Sequence, residues 1–290
     1  MGNEPIERLW QQWGDLLMCV ACAAPLQRTW LGSSCGACGH PMPTRGSAIV
    51  QLADTEAVAT LLDSADAQAM DQGYRTPSPW KSRIRKVITS EYFPGRAWRE
   101  ARASVLAAQR LLVIGSGTTQ YPRAIHLDLD DYPGVDLVAD AHRLPLITDG
   151  LDAVMAEVVL EHVARPDQVI AEVYRVLKPG GSCFFTVPFL FPYHGHPRDY
   201  RRWSPDGIRQ DFDKFSSLSC GIHAGPCSAM VNLLTEQVYV MSGCRFPRGY
   251  TAIKGLATCV LFPLKFLDVL VTRFPEAHRM ASTLYVHAVK

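Results

Sequence analysis

Between Leu111 and Pro188 the chain alternates short apolar runs with turns, and this rhythm limits what it can fold into more than any other feature. Leu111 to Ile114 is an apolar run of strand type, and Gly115-Ser116-Gly117 follows at once. A glycine loop directly after a strand lets backbone N–H groups approach a polar or anionic ligand closely. A second apolar run, Ala124 to Leu127, closes on Asp128, whose carboxylate can accept hydrogen bonds from both hydroxyls of a ribose. Loop and carboxylate together point to a nucleoside-like cofactor.

Further pieces follow in order. Val135 to Val138 is a third run and leads into Asp140-Ala141; Leu151 to Met155 reads as a fourth strand, followed by Glu157 and Leu160-Glu161-His162. From Asp167 to Leu177 the spacing places Val169, Ile170, Val173, Val176 and Leu177 on one helical face, and Lys178-Pro179-Gly180-Gly181 ends the helix. Ser182 to Val187 is a buried strand by composition. Strand and helix alternate, which argues for a parallel sheet covered on both faces.

In this order LLVIGSGTT, HLDLDD, VADAHRLP, VVLEHV, RVLKPGG and FFTVP resemble the class I S-adenosylmethionine-dependent methyltransferases, in particular the methyltransferase type 11 group. The resemblance implies an α/β fold, a Rossmann-like parallel sheet of about seven strands with helices on both faces. It implies a cofactor site in which Gly115, Ser116, Gly117 and Thr118 cradle the methionine part. Asp128 with Leu129 would hold the ribose, and Asp140, Ala141 and His142 the adenine; Glu157 would lie beside the cleft. Two departures stand out. Thr118-Thr119 fills the space where the first loop commonly has a further glycine. Glu157-x-x-x-Glu161-His162 is one residue longer than the Glu-x-x-Glu-His pattern with which some quinone O-methyltransferases bind a divalent metal, so no catalytic metal is expected there.

Four of the nine cysteines fall in Cys19-x-x-Cys22 and Cys35-x-x-Cys38, twelve residues apart. Two such knuckles supply the four thiolates that tetrahedral zinc prefers. The start MGNEPIERLW has no apolar core of a signal peptide, so a cytoplasmic location is expected, where disulfides are disfavoured. The flanks resemble the small zinc ribbon of the tRNA-methyltransferase activator subunit and of some rRNA guanine methyltransferases. His40 is read as an ordinary loop residue. A ribbon over residues 1–53 is too small for much core, so structural zinc would supply its folding energy. It carries only Arg8, Arg28 and Arg45, against Glu4, Glu7 and Asp15, which favours structural support or a substrate lid over RNA binding.

Residues 54–108 read as a helical connector that turns basic towards its end: from Arg75 to Arg110 the chain carries Arg75, Lys81, Arg83, Arg85, Lys86, Arg96, Arg99, Arg102 and Arg110 with Glu91 and Glu100. Either this is a solvated helical face or it holds an anionic substrate. Residues 109–290 form the methyltransferase domain, with a substrate-region insertion at about 190–275. With a net charge of +1 and 48% hydrophobic residues, the whole chain has ordinary globular composition.

The loop after the fifth strand, VPFLFPYHGHPRDYRRWSPDGI, lies where a parallel sheet binds its ligands and is dense in acid–base groups. Tyr193, His194 and His196 are the catalytic candidates, either histidine serving as base for a hydroxyl or amine. Alternatively both hold loop carbonyls or Asp199, or form a His-His-Asp metal site. Farther on, Leu256, Val260, Leu264, Leu267 and Val271 make an apolar stripe, suited to packing over the sheet, to a homodimer interface, or to a wall for an apolar acceptor. Pro263, Lys265, Asp268 and Arg273 argue against a membrane span. Thr283 to Val289 alternates as a strand that closes the sheet. The resulting expectation is methyl transfer to a small molecule, such as a secondary metabolite, glycan or phosphorylated precursor, with oxygen favoured over nitrogen or carbon. An rRNA or tRNA methyltransferase and a non-catalytic activator subunit are the rivals.

Overall fold

The computed structural model describes residues 4–45, 47–54, 95–195, 198–243 and 247–290. Most of the connector, including Arg75 to Lys86, lies outside them, as does His196.

The chain opens with α1 (Glu4–Trp13), followed by four short strands, β1 (Ser33–Ser34), β2 (Pro41–Met42), β3 (Thr44–Arg45) and β4 (Ala48–Gln51). Then come α2 (Arg96–Leu106), β5 (Leu111–Ile114), β6 (Ala124–Asp128), β7 (Leu137–Ala139), β8 (Leu151–Glu157), α3 (Pro166–Val176) and β9 (Leu177–Pro188). The chain finishes with α4 (Pro205–Asp211), β10 (Ser217–Ala224), α5 (Pro226–Met241), α6 (Pro247–Leu261), α7 (Asp268–Val271) and β11 (Thr283–Val289).

Nine strands form one sheet in the order β10-β11-β9-β8-β5-β6-β7-β4-β3. From β4 to β9 every pairing is parallel, while β10, β11 and β3 run antiparallel to their neighbours. The strands of the central run are buried on both faces, as their unbroken apolar composition requires. The fold is therefore α/β with a largely parallel sheet. β11 does close it, but from inside: it lies between β9 and β10, and β10, which the sequence reading missed, is the edge strand. Val169, Ile170, Val173 and Val176 of α3 are all buried, along with Leu177.

Regular alternation of strand and helix holds only across β8, α3 and β9. Residues 115–123 join β5 to β6 without a helix, and no helix separates β6, β7 and β8. A parallel pair usually needs a helical crossover of a dozen or more residues to cover the sheet. Here the N-terminal segment does that covering. Ile6, Leu9 and Trp13 of α1, with Leu16, Leu17, Cys19 and Cys35, share a core with Leu112, Ile114, Ile125 and Leu127. On the opposite face α2 places Val105 against Leu111, Val113, Met155 and Phe184. β4 adds to the sheet beside β7, so the cysteine segment is built into the main fold.

The C-terminal apolar stripe does not pack on the sheet. Leu256 is 70% exposed and Val260 68%, and the run breaks at Phe262–Leu267 into a 3-10 turn where Pro263 ends α6. Among the described residues no helix is long and apolar enough to cross a membrane. Asp268, fully buried, anchors this lobe by accepting from Cys227 N (2.8 Å), Ser228 N (2.9 Å) and Ser228 Oγ (2.7 Å) at the N-terminus of α5. That is where a carboxylate is most stabilising. An added Cβ at Gly225 would come within 2.4 Å of it.

Candidate cofactor cleft and acceptor loop

Because β5 to β9 are parallel, their carboxyl ends share one edge, and the chain leaves β5 in opposite directions towards β6 and β8. This is the topological switch point at which open α/β sheets bind ligands. The loop after Ile114 turns through Gly115 (φ +66°) and Gly117 (φ +51°), a region closed to most side chains. A Cβ on Gly115 would meet Val159 Cγ2 at 2.4 Å, whereas one on Gly117 would enter open space. Gly115 is thus needed for packing and Gly117 for its backbone shape.

The loop is braced against β6. Gly115 N (2.8 Å) and Ser116 N (3.2 Å) donate to Leu127 O, and Gly117 N donates to Asp128 Oδ2 at 2.8 Å. Three N–H groups that the glycine pattern had offered to a ligand are therefore used internally. What the loop retains is the Ser116 hydroxyl, buried and without a partner among the described residues. Asp128 also accepts from Leu129 N (2.8 Å) and Asp130 N (3.3 Å). Burial pushes its carboxyl above the usual range, with the three backbone N–H groups pulling the other way. The Leu129 side chain is 58% exposed.

Beyond β7, Asp140 Oδ1 accepts from His142 N at 2.9 Å and lies 2.5 Å from His142 Nδ1. His142 Nε2 accepts from Arg165 N at 3.3 Å, so the proton sits on Nδ1 and points at Asp140. Ala141 is buried. The cysteine segment buttresses this turn: Met18 N donates to Pro145 O, Ile147 N to Leu16 O, and Arg143 to Ala21 O.

Glu157, at the end of β8, is held by a residue of the basic connector, for which the sequence left open a solvated face or an anionic substrate. Arg102 of α2 forks onto it, Nε to Oε1 and Nη2 to Oε2, both at 2.9 Å, and also donates to Tyr121 Oη at 2.7 Å. The Glu157 bonds raise the Arg102 pKa, and burial raises that of Tyr121. Arg96 pairs with Glu100, and Arg110 with Asp15. Three of the basic connector residues are therefore neutralised within the fold.

In the loop after β9, Arg202 is the organiser. It binds Asp199 through both terminal nitrogens (2.5 and 2.6 Å) and donates to Phe191 O and Pro192 O. The Arg202 guanidinium brings the Asp199 carboxyl down to about 2. His194 N donates to Asp199 Oδ2 (2.9 Å), and His194 Nδ1 lies 3.2 Å from Pro192 O. Its Nε2 is buried without a hydrogen-bond partner among the described residues, 3.5 Å from Glu161 Oε1. Tyr193, by contrast, is 74% exposed. The role of Arg102 was not read from sequence, since a fork onto a carboxylate 55 residues away leaves no local signal; Arg202, three residues from Asp199, was passed over in favour of the histidines of the same loop.

The cysteine sulfurs converge. Cys19 and Cys38 Sγ are 3.8 Å apart, as are Cys22 and Cys35 Sγ, and all four lie within 4.8 Å of one another. Ligands at about 2.3 Å in a tetrahedron stand about 3.8 Å apart, so the spacing fits a zinc tetrathiolate and not a disulfide. Each knuckle closes the same way, Ala23 N onto Cys19 O and Gly39 N onto Cys35 O, both at 2.8 Å. His40 lies outside the set, its Nε2 on Leu52 O at 2.9 Å.

A 340 Å³ cavity borders the amino end of β6, lined by Arg8, Gln12, Arg123 and Asp136, away from these carboxyl ends.

The segment that builds the cleft is the one that matches known proteins. Residues 105–185 match the family Methyltransf_11, "Methyltransferase domain". An uncharacterized methyltransferase of Mycobacterium ulcerans is 31% identical over 121 residues, covering 34% of this chain and 47% of its own length. An uncharacterized 37.1 kDa protein in a transposon of Streptomyces fradiae is 30% identical over 156 residues, 51% of this chain and 40% of that protein. The chain thus spans under half of the length of these relatives. Haemonchus contortus phosphoethanolamine N-methyltransferase 2, solved with phosphomonomethylethanolamine and S-adenosylhomocysteine, aligns over 71% of this chain and 56% of its own, with TM-score 0.44 and 18% identity.

Proposed function

We propose that this chain is an S-adenosylmethionine-dependent methyltransferase acting on a small-molecule acceptor, with a structural zinc held by Cys19, Cys22, Cys35 and Cys38. One observation carries the reading: the residues matching a methyltransferase domain place a glycine loop, Asp128, Asp140 and Glu157 on one edge of the sheet, at its switch point. The buried, unpartnered Ser116 hydroxyl in that loop is what a bound cofactor would satisfy. When bound, the cofactor supplies an electrophilic methyl group on a sulfonium. Asp128 would bind the ribose hydroxyls and the Asp140–His142 turn would border the adenine, while the Arg102 fork holds Glu157 oriented beside the cleft.

Acceptor recognition falls to the loop at 189–203. Its Arg202–Asp199 clamp fixes the backbone, while exposed Arg198 and Arg201 suit an acceptor bearing an anionic group. With Nδ1 turned to a carbonyl, a neutral His194 presents its lone pair on Nε2, a property shared by a general base and a metal ligand. Transfer to oxygen remains the favoured chemistry, since a hydroxyl needs its proton removed. RNA is a weaker candidate because Arg28 is paired with Glu7 and Arg45 with Asp131, leaving the cysteine segment little free positive charge. Incubation with methyl-labelled cofactor and a panel of hydroxylated and phosphorylated small molecules tests the proposal. Label entering a small-molecule fraction supports it; label entering only RNA overturns it.

A further inference from the structure

Glu161 is fully buried, and neither carboxylate oxygen has a hydrogen-bond partner among the described residues. Such a group is costly unless a cation accompanies it. Two imidazoles approach it. His162 Nδ1 lies 2.6 Å from Arg198 O and His194 Nδ1 lies 3.2 Å from Pro192 O, so each ring carries a proton on Nδ1 and, when neutral, offers Nε2 as a lone-pair donor. One ligand atom from each of Glu161, His162 and His194 lies within 4.8 Å of the others.

We infer that Glu161, His162 and His194 form a second metal site, for a divalent transition ion of zinc type, distinct from the four cysteines. The 3.5 Å between His194 Nε2 and Glu161 Oε1 is close to the edge of a tetrahedron with bonds of about 2.1 Å. The outer contacts also fit: ligating histidines characteristically donate their second nitrogen to a carbonyl or carboxylate, as both do here. A protonated His194 beside Glu161 would be the simpler arrangement. It leaves the second Glu161 oxygen unpaired and gives the fixed orientation of His162 no purpose, whereas an ion engages all three residues. Glu157 plays no part, being occupied by Arg102; local spacing offered only the Glu161-His162 pair and led to the expectation of no metal there, because the third ligand comes from a loop 33 residues on in sequence.

Two histidines and one carboxylate leave at least one coordination position open. The site follows β8 and meets the loop after β9, at the carboxyl edge of the sheet, where an acceptor oxygen could take that position. Such use rests on the methyl-transfer reading; the metal site itself does not.

The test is zinc content of the full-length protein after equilibration with zinc and gel filtration. About two equivalents per chain are expected, falling to about one in Glu161→Gln and in His194→Ala, with the cysteine site still filled. One equivalent in the wild type, or two retained in both variants, overturns the inference. Should the variants not fold, zinc X-ray absorption of the wild type decides. Mixed sulfur and imidazole scattering supports the site, and sulfur alone removes it. Cofactor binding by the same preparation is read separately, so failure of the metal site and failure of the methyltransferase reading are distinguishable.

Discussion

Asp128 carries opposite demands. Burial raises its pKa, so the ionised form costs the folded chain stability that is regained as pH falls through the raised value. Ribose binding needs that same ionised form as acceptor. Cofactor affinity is therefore expected to weaken on acidification at a pH above the ordinary carboxylate range, while this group's contribution to stability of the free protein improves. Titration calorimetry and thermal melts across that range check both signs. A second residue-scale prediction concerns Ala23, which closes the first cysteine knuckle at φ +60° where the second knuckle has Gly39. Ala23→Gly should stabilise the protein by about 1 kcal/mol, read from denaturant unfolding of the zinc-loaded chain. The convergence of the cysteines, and the places of Asp128 and Asp140 at the ends of β6 and β7, were legible in sequence because they follow from local spacing. The roles of Arg102 and Glu161 were not, because each depends on what the fold brings against it from far away in sequence.

At the scale of elements, the unusual feature is how little helix separates the strands from β5 to β8. Every one of those strands was legible as an apolar run, yet the cover over them was not. The sequence reading placed α1 and the knuckles in a separate ribbon, whereas Trp13, Leu16 and Leu17 occupy the core over β5 and β6. Amphipathic spacing identifies a face to be buried without naming what it is buried against. Loss of the cysteine cluster should therefore be felt across the sheet. Replacing Cys19 and Cys22 by serine is expected to lower the melting temperature by on the order of 5 °C or more and to reduce hydrogen-exchange protection in β5 and β6. Protection unchanged there would separate the knuckles from the core. Likewise Arg102→Ala, which leaves the half-buried Glu157 with only Tyr121 Oη as donor, should cost about 2 kcal/mol and weaken cofactor binding, as measured by unfolding and calorimetry.

For the molecule as a whole, the sheet collects its polar residues on the edge formed by the carboxyl ends of β5 to β9, and two flanking segments support that edge. The cysteine segment braces the turn after β7, and the Arg202 clamp shapes the loop after β9. The outward apolar surface of α5 and α6, with Met230, Val238, Leu256 and Val260 exposed, removes packing on the sheet from the three roles expected for the stripe and leaves the homodimer interface and the acceptor wall. Periodicity read that stripe correctly as apolar, but Pro263 divides it, and direction is a property of tertiary packing. The account turns on whether the edge takes S-adenosylmethionine at all. Calorimetric titration with S-adenosylhomocysteine should give saturable binding of about one ligand per chain, weakened roughly tenfold to a hundredfold in Asp128→Asn through loss of charged hydrogen bonds. Absence of saturable binding by the folded wild type, or equal affinity in the variant, would contradict it.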